Sequence, residues 1–446
     1  DVDGLHISGL IQNMFHALFP SLLQRNPPFI TSMNTPIVRV YQGKSDILFY
    51  DEQEYRKYVR KFQGKKINKK YYKGLGSSNE EDVAETFGQK LVEFQDDDYT
   101  FENMNKAFHS KYADMRKDWL EQYDPDNVVL KWDGNKPEKH VITYSEYINT
   151  ELIKFSLDDC KRSIPSLMDG LKEGHRKVLF VAFLRKLKYS GKTIKVAQLA
   201  GSVSEKAGYH HGEKNLESTM TGMANSYVGS NNIPLLFRDG QFGSRQEGGK
   251  DAAAGRYIWT KLDAMTRLLF REEDDDLLDH IEDDGDKVEP KFYVPIIPMI
   301  LVNGCLAGIG TGWSSSVPCY NPLDLIAAIK TWLDNDNQAF DTQDEVTISL
   351  LPEIKPWYRG HTGEMVSDDT RGSFTSWGRI EKDPKGKAVV TELPIGMWTS
   401  DFVEKLEKMR EEKQISSYKN HSTPKDISFI ITESDDGISC DEKNLK

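Results

Sequence analysis

The chain has 446 residues, 38% of them hydrophobic and 29% charged, and a formal net charge of −12. That apolar share suffices for two to four domains with cores of their own, while no apolar run approaches the roughly 18 residues of a membrane-spanning helix and no signal peptide is visible. The acidic sum argues against a uniformly basic nucleic-acid binder, but the charge is segregated. Positions 151–200 hold eleven Lys or Arg against five Asp or Glu, and Arg271–Asp286 holds ten acids against one Arg. Phosphate contacts are local, so an acidic chain can still hold DNA on a basic face. The acidic run reads as solvated surface. The four cysteines, Cys160, Cys305, Cys319 and Cys440, form no CxxC pair and no zinc-like spacing. That usage points to reduced thiols in a cytosolic or nuclear protein.

The chain opens Asp1-Val2-Asp3-Gly4, two carboxylates at i and i+2 before a glycine. The pattern suits a strand end entering a turn, from which Asp1 and Asp3 both reach one hard cation such as Mg2+; an Asx-type turn is spelled the same way. Apolar residues at helical spacing predict an amphipathic helix over Ile7–Leu23. Strand-like runs follow at 36–41 and 47–50. In the loop from Lys69 to Ser77, Lys73 stands before Gly74 and Gly76, a common and unspecific phosphate-contacting pattern. Strands alternating with helices predict an α/β domain with a parallel sheet. The stretch Lys111–Trp119 is charged and helical, and Asp124–Lys139, rich in Asp, Asn, Pro and Gly, reads as a linker.

A new pattern begins near Tyr144. A turn at 163–171 leads into a basic-ended amphipathic helix that carries Arg176 and runs to Leu184. A second helix is predicted over Lys195–Ser204, with Val196, Leu199, Ala200 and Val203 on one face. Two short helices joined by a basic turn suit a helix-turn-helix or winged-helix unit, and equally a small helical bundle. His210 and His211 are adjacent and cannot face one way on a helix. A histidine here either donates to a phosphate oxygen or sits satisfied in a core.

The densest chemistry lies in Gly248-Gly249-Lys250-Asp251-Ala252-Ala253-Ala254-Gly255-Arg256-Tyr257-Ile258-Trp259-Thr260. Small residues let a backbone or bulky ligand come close. Lys250 and Arg256 place cations beside the phenol of Tyr257. A phenol, with its ordinary pKa near 10, is a poor nucleophile unless a base or cations favour its anion, and the same cations attract phosphate. The alternative is a helix start whose aromatics pack into a core. Further on, Ile309 stands between Gly308 and Gly310; exposed, such a residue can enter a base step as a wedge, and buried it is ordinary core. From Glu345 the texture is β-rich, with strands predicted at 346–350, 374–380 and 389–393 and a helix over Asp401–Lys413.

Taken in order, Tyr209-His210-His211-Gly212-Glu213, Gly229-Ser230-Asn231-Asn232-Ile233, Gly240-Gln241-Phe242-Gly243-Ser244-Arg245 and the run ending Ala254-Gly255-Arg256-Tyr257 resemble the cleavage domain of eukaryotic-type type IIA DNA topoisomerases. The resemblance extends from Asp1 to about Ile431. The opening acids are similar to the end of the Asp-x-Asp-x-Asp-Gly signature of the TOPRIM metal domain. Trp357-Tyr358-Arg359-Gly360, Thr391-Glu392-Leu393-Pro394 and Trp398-Thr399 are similar to segments of the tower domain. The implied architecture is multidomain α/β and α+β: a TOPRIM α/β domain over 1–124 that lacks its N-terminal part, a linker over 125–143, a winged-helix domain over 144–295 and a tower over 296–446.

The resemblance also implies an activity, that of the DNA-binding and cleavage core of an ATP-dependent type II topoisomerase. Tyr257 would attack a DNA phosphodiester and form a 5′-phosphotyrosyl link, with Arg256, His211 and Arg176 stabilising the pentacoordinate phosphate. Lys73, His210 and Lys250 would contact DNA, and Ile309 would be the bending wedge. Mg2+ held by Asp1 and Asp3 would neutralise charge near the leaving 3′ oxygen; the signature's first aspartate and the family's upstream glutamate are absent from this chain. ATP is expected for the full-length protein, with no ATP site in this chain. The implied partners are double-stranded DNA and a second copy of the chain in a homodimer, with no membrane. The expected location is the nucleus for a cellular protein, and the host cytoplasm or nucleus for a viral one. Two other classes stay open: a non-enzymatic winged-helix DNA-bending protein, and a TOPRIM metal-dependent nuclease or primase.

Overall fold

The computed structural model describes residues 2–43, 45–62, 67–72, 79–132, 136–209, 211–283, 286–334, 352, 354–368, 373–384 and 386–434. Asp1, Lys73, His210, Cys440 and the strand predicted at 346–350 lie outside the described residues. The chain divides into two compact units, Asp1–Ile164 with Ile309–Ser314, and Pro165–Gly308 with Ser315–Lys446.

The first unit begins with α1 (Val2–Leu18) and α2 (Pro20–Leu23). They occupy the predicted helical stretch, interrupted before Pro20, which has no N–H to continue the ladder. Gly9 lets α1 close on its neighbours, since a Cβ there would lie 3.0 Å from Leu152 and 3.1 Å from Phe108. Then come β1 (Thr31–Met33), β2 (Val38–Gln42), β3 (Ser45–Phe49), α3 (Glu52–Arg60), β4 (Lys69–Tyr71), α4 (Glu80–Thr86) and β5 (Lys90–Gln95). The unit closes with α5 (Thr100–Phe108), α6 (Ala113–Glu121), β6 (Glu138–Thr143), α7 (Tyr144–Tyr147) and α8 (Ile153–Ser163). Its main core gathers Val92, Phe94, Met104, Tyr144, Ile148 and Ile153.

Two expectations for this unit are corrected. The sheets are mainly antiparallel: β2 pairs antiparallel with both β3 and β4, and β1 pairs antiparallel with β5. The link from β2 to β3 is too short for a parallel crossover, and Gly43 takes φ +64° to make the turn. Among the described residues of this unit only β5 and β6 run parallel, joined through α5 and α6. The segment read as a linker is also structural. Leu130 and Trp132 are buried, and β6 extends the sheet at its edge. An edge strand solvated on one side carries Glu138, Lys139 and His140, which is why its composition reads as loop.

The second unit holds α9 (Glu173–Leu184), β7 (Ile194–Lys195), α10 (Val196–Ala207), α11 (Glu213–Ala224), β8 (Trp259–Thr260) and α12 (Thr266–Leu269). Val196, Leu199, Ala200 and Val203 of α10 are all buried, as their spacing predicts, against Val178 and Leu179 of α9 and Leu216 and Met220 of α11. The first part of the acidic run, Glu272–Leu277, folds as a 3₁₀ segment with no buried residue, and the rest enters the hairpin β9 (His280–Asp283) and β10 (Asp286–Pro290). Beyond it lie α13 (Met299–Asn303), the paired strands β11 (Cys305–Ile309) and β12 (Ser314–Val317), and α14 (Pro322–Asp334).

The remaining strands are β13 (Met365–Asp368), β14 (Ser373–Ser376), β15 (Arg379–Lys382) and β16 (Ala388–Glu392). After α15 (Thr399–Glu411) come β17 (Ile415–Asn420) and β18 (Phe429–Glu433). The last four strands form an antiparallel sheet in the order β15-β16-β18-β17. The α15 residues Phe402, Leu406 and Met409 join Val390, Phe429 and Ile431 in one core. Among the described residues the three cysteines are free, and no helix is long and apolar enough to cross a membrane.

Candidate functional site

Tyr257 ends a single 3₁₀ turn, Gly255–Tyr257, closed by its N–H donating to the Ala254 carbonyl at 2.8 Å. The chain then enters β8, which pairs with β7 so that Lys195 faces Trp259. The Val196 N–H, first in α10, donates to the Ile258 carbonyl at 3.0 Å. The turn is therefore fixed beside the N-terminus of a twelve-residue helix, the end whose free N–H groups and dipole favour anions. The Tyr257 side chain is 61% exposed, which sets aside the core-packing alternative. The Arg256 guanidinium lies 4.9 Å from the Tyr257 ring centroid, and Arg256 and Lys250 are both exposed.

Gly255 is buried against α11: a Cβ there would meet the Glu217 carboxyl at 2.5–2.8 Å. Glu217 lies only about 6 Å along the axis from the start of α11, at 1.5 Å per residue. His211 sits just before that start, half-buried, with its ring edge-on to Tyr209 at 5.5 Å. One helix thus brings His211 to the same end of the unit as the tyrosine turn.

The loop leading to Tyr257 is stapled across itself. Asp239 and Trp259 exchange backbone hydrogen bonds at 2.8 and 3.1 Å, and the Ala253 N–H donates to the Gln241 carbonyl at 2.9 Å. Asp251 accepts from the Ser244 N–H at 2.8 Å and from its hydroxyl at 2.7 Å. Burial alone would raise the Asp251 pKa; the Ser244 bonds outweigh it and hold the carboxyl below the usual range. Gly243, at φ +96°, has its α-carbon hydrogens against the Gly249 backbone, where a Cβ would come within 2.6 Å.

Other predicted residues fall differently. Arg176 is buried, and its guanidinium is committed to Asp169 (Nε–Oδ2 2.9 Å, Nη2–Oδ1 3.3 Å) and to the Leu171 carbonyl at 3.0 Å. In this structure its guanidinium is therefore occupied by protein acceptors. Helical periodicity turned it inward, and a desolvated guanidinium requires an acid partner. Lys177, next to it, is likewise buried on Glu289 at 2.9 Å. The basic surface comes instead from the α9–α10 connection, where Lys186, Lys188 and Lys192 are exposed. Nothing local in the sequence marks Lys195, because its position opposite Trp259 is set by strand pairing across 64 positions.

His175, beside Arg176, is held neutral. Burial first, then the cations of Lys172 and Arg176, push its pKa down to about 4, while Asp169 opposes them; its Nδ1 accepts the Lys172 N–H at 3.3 Å. An unfolded histidine takes up its proton near pH 6.5, so the stability that depends on neutral His175 is full above that pH and is lost as pH falls toward 4. The expected result is a steeper fall in Tm between pH 7 and 4 for the native chain than for His175→Gln, measured by thermal melts in parallel.

Asp3 does not end a strand. It lies in the first turn of α1, where an acid complements the helix dipole, and pairs with Arg162 at 2.8 Å. Among the described residues no group of three or more His, Cys, Asp or Glu is placed to hold a metal ion. Asp1, the other half of the expected pair, lies outside the described residues.

Ile309 is 69% exposed at the end of β11. The tip that follows it is tied down within the first unit: the Gly310 N–H donates to the Trp313 carbonyl at 2.9 Å, and the Thr311 hydroxyl donates to Asp159 at 3.0 Å.

Residues 162–445 match the family model for the A-type subunit of DNA gyrase/topoisomerase IV. Residues 33–160 match the C-terminal associated domain of TOPRIM, a span that runs through the supposed linker. The chain belongs to the DNA gyrase/topoisomerase IV family, whose members include the type II topoisomerases. It is 41% identical to DNA topoisomerase 2 of Invertebrate iridescent virus 6, over 97% of this chain and 38% of that protein. It is 44% identical to the probable DNA topoisomerase 2 of Dictyostelium discoideum, over 92% of this chain and 26% of that protein. The chain thus spans about a quarter to two fifths of these relatives' length. The solved Plasmodium falciparum topoisomerase II DNA-binding, cleavage and re-ligation domain superposes with a TM-score of 0.75 at 39% identity, over 97% of this chain and 57% of that one.

Proposed function

We propose that this chain is the DNA-binding and cleavage core of an ATP-dependent type II DNA topoisomerase, with Tyr257 as nucleophile. The observation that carries this is an exposed phenol beside a guanidinium at the N-terminus of α10. The phenol oxygen attacks phosphorus and the P–O3′ bond breaks. The phenol proton passes to solvent, and the departing 3′ oxygen takes up a proton to become a hydroxyl. Reversal religates the strand. Arg256, with His211 at the entry to α11, meets the charge that builds on the phosphate oxygens. Lys250 and the lysines of the α9–α10 connection hold the flanking backbone. Two copies related by a twofold axis would present one tyrosine to each strand, and ATP bound elsewhere in the full-length protein would drive passage of a second duplex.

In this reading α9–α11 with the β7–β8 pair form the winged-helix unit and the four-stranded sheet with α15 belongs to the tower. The family's metal is Mg2+; Asp3, the one described member of the acidic pair, would help to hold it, and the ion would neutralise charge near the leaving 3′ oxygen. The protein would act in the nucleus, or in the host cell if viral. Trapping reactions in denaturant and mapping the DNA-linked peptide tests the proposal: the adduct should lie on Tyr257.

Ile309 serves as the bending wedge in the same reading. Unstacking a base step costs a few kcal/mol, offset by the protein surface that bent DNA reaches. Ile309→Ala should lower DNA bending, read as the end-to-end distance of a doubly labelled duplex, more than it lowers affinity. Because the side chain is exposed, Tm should move little; a loss of the roughly 2–5 kcal/mol typical of a buried Ile→Ala change, with bending intact, would refute the wedge.

A further inference from the structure

The loop that leads to Tyr257 is also clamped from outside, at its tip. Arg245 is buried, and its guanidinium pairs with the buried Glu392 at the end of β16, 147 positions away. It also donates to the Leu393 carbonyl at 3.3 Å. Glu392 is fully engaged, accepting the Leu393 N–H at 2.9 Å and the Thr362 N–H and hydroxyl at 3.1 and 3.2 Å. The first turn of α15 meets the same loop, where the Ser400 N–H donates to the Gln246 carbonyl at 2.9 Å. The Trp398 indole, just before that helix, lies in a slot only glycine can form. A Cβ on Gly248 would fall 2.3 Å from its Nε1, and Gly229, at φ +88°, lines the other side of the ring. Tyr227 closes the slot edge-on at 5.7 Å.

We propose that Glu392 and Trp398 are positioning residues for the tyrosine: they hold the 244–249 loop through Arg245 and Gly248, and that loop fixes the Tyr257 turn. The transmission is contiguous. Ser244, adjacent to Arg245, holds Asp251; Gly249 lies against Gly243; and the 241–253 and 239–259 backbone pairs carry the constraint to both sides of the turn. The β16–α15 module is thereby coupled to the geometry of cleavage. A reacting pair displaced by about 1 Å can lose on the order of 100-fold in rate, so a loosened clamp should slow the chemical step while the exposed cations go on binding DNA. The inference rests on Tyr257 being the nucleophile.

The test uses the complete protein carrying Glu392→Gln, which removes the charge opposite Arg245 and keeps one of the two acceptor oxygens, Oε1 facing Arg245 and the Leu393 N–H or Oε2 facing Thr362. Trp398→Phe is the second variant and leaves no buried charge unpaired. Single-turnover formation of the covalent adduct is measured at saturating DNA, beside duplex affinity and a melting curve. Both variants should form adduct at least tenfold more slowly, with affinity within twofold and the protein folded at the assay temperature. Wild-type cleavage rates in both would overturn the proposal. So would a loss of adduct that is accounted for by weaker DNA binding or by the unfolded fraction, because that pattern is purely structural. Failure of the unmutated protein to form any adduct on Tyr257 would instead remove the functional reading beneath it.

Discussion

Tyr257→Phe should abolish covalent attachment to DNA while leaving duplex binding within about twofold. The substitution deletes one oxygen. The ring stays, and with it the contact to the Arg256 guanidinium, 4.9 Å from its centroid, so the cation remains where the phosphate would meet it. Tyr257 is 61% exposed, and substitutions at such positions usually change stability by no more than about 0.5 kcal/mol. What is lost is the only group in the turn that can form the phosphotyrosyl bond. Removing a nucleophile from a covalent catalyst typically costs at least about 10⁴-fold in rate. Adduct formation in denatured, trapped reactions is the measurement, with duplex affinity taken on the same preparation. Adduct that persists in the variant would move the nucleophile elsewhere; binding that collapses with cleavage would make Tyr257 a DNA contact and not a reactant.

How far the sequence anticipates the structure follows from how the interactions are distributed along the chain. The tyrosine turn was legible because its parts are contiguous: Lys250, Arg256 and Tyr257 sit within eight positions, and the flanking small residues permit the close approaches that Gly249 and Gly255 make. The α10 face was legible because helical period alone assigns Val196, Leu199, Ala200 and Val203 to the core. The Arg245–Glu392 clamp was not, since nothing local marks two residues 147 positions apart as partners. Nor was the burial of Arg176. Its letter is that of a phosphate ligand, and only the fold reveals Asp169 beneath it. The strand β6 is hidden for a compositional reason, its solvated edge residues being those of a loop. The antiparallel pairing of β2 with β3 was in principle visible in the short connection through Gly43, but the alternation of strands with helices masked it.

Asp169→Ala should be strongly destabilising, more so than Glu392→Gln, Trp398→Phe or Ile309→Ala. The carboxylate is fully buried and accepts four N–H groups: two from Arg176, at 2.9 and 3.3 Å, the Leu171 N–H at 3.0 Å and the Tyr293 N–H at 2.9 Å. It pins the turn before α9 both to the helix and to the segment at Tyr293. Next to it Gly170, at φ +69°, presses on the Ile300 backbone, where a Cβ would fall 2.5 Å away, so the turn has little freedom to rearrange. Truncation leaves a buried guanidinium unpaired, a loss of about 3–5 kcal/mol, and strands two buried amides whose individual penalties are about 1–3 kcal/mol and only partly additive. Asp169→Asn retains an acceptor for part of the set and should lose less. Arg176→Ala is the informative partner: if Arg176 serves Asp169, both alanine variants lower the denaturant midpoint together, and cleavage per folded molecule stays close to wild type at low temperature. If Arg176 instead reaches a phosphate in the DNA complex, its alanine variant alone loses cleavage out of proportion to its loss of stability. Chemical denaturation paired with single-turnover cleavage separates the two, because only a residue that leaves Asp169 for DNA can break the correlation.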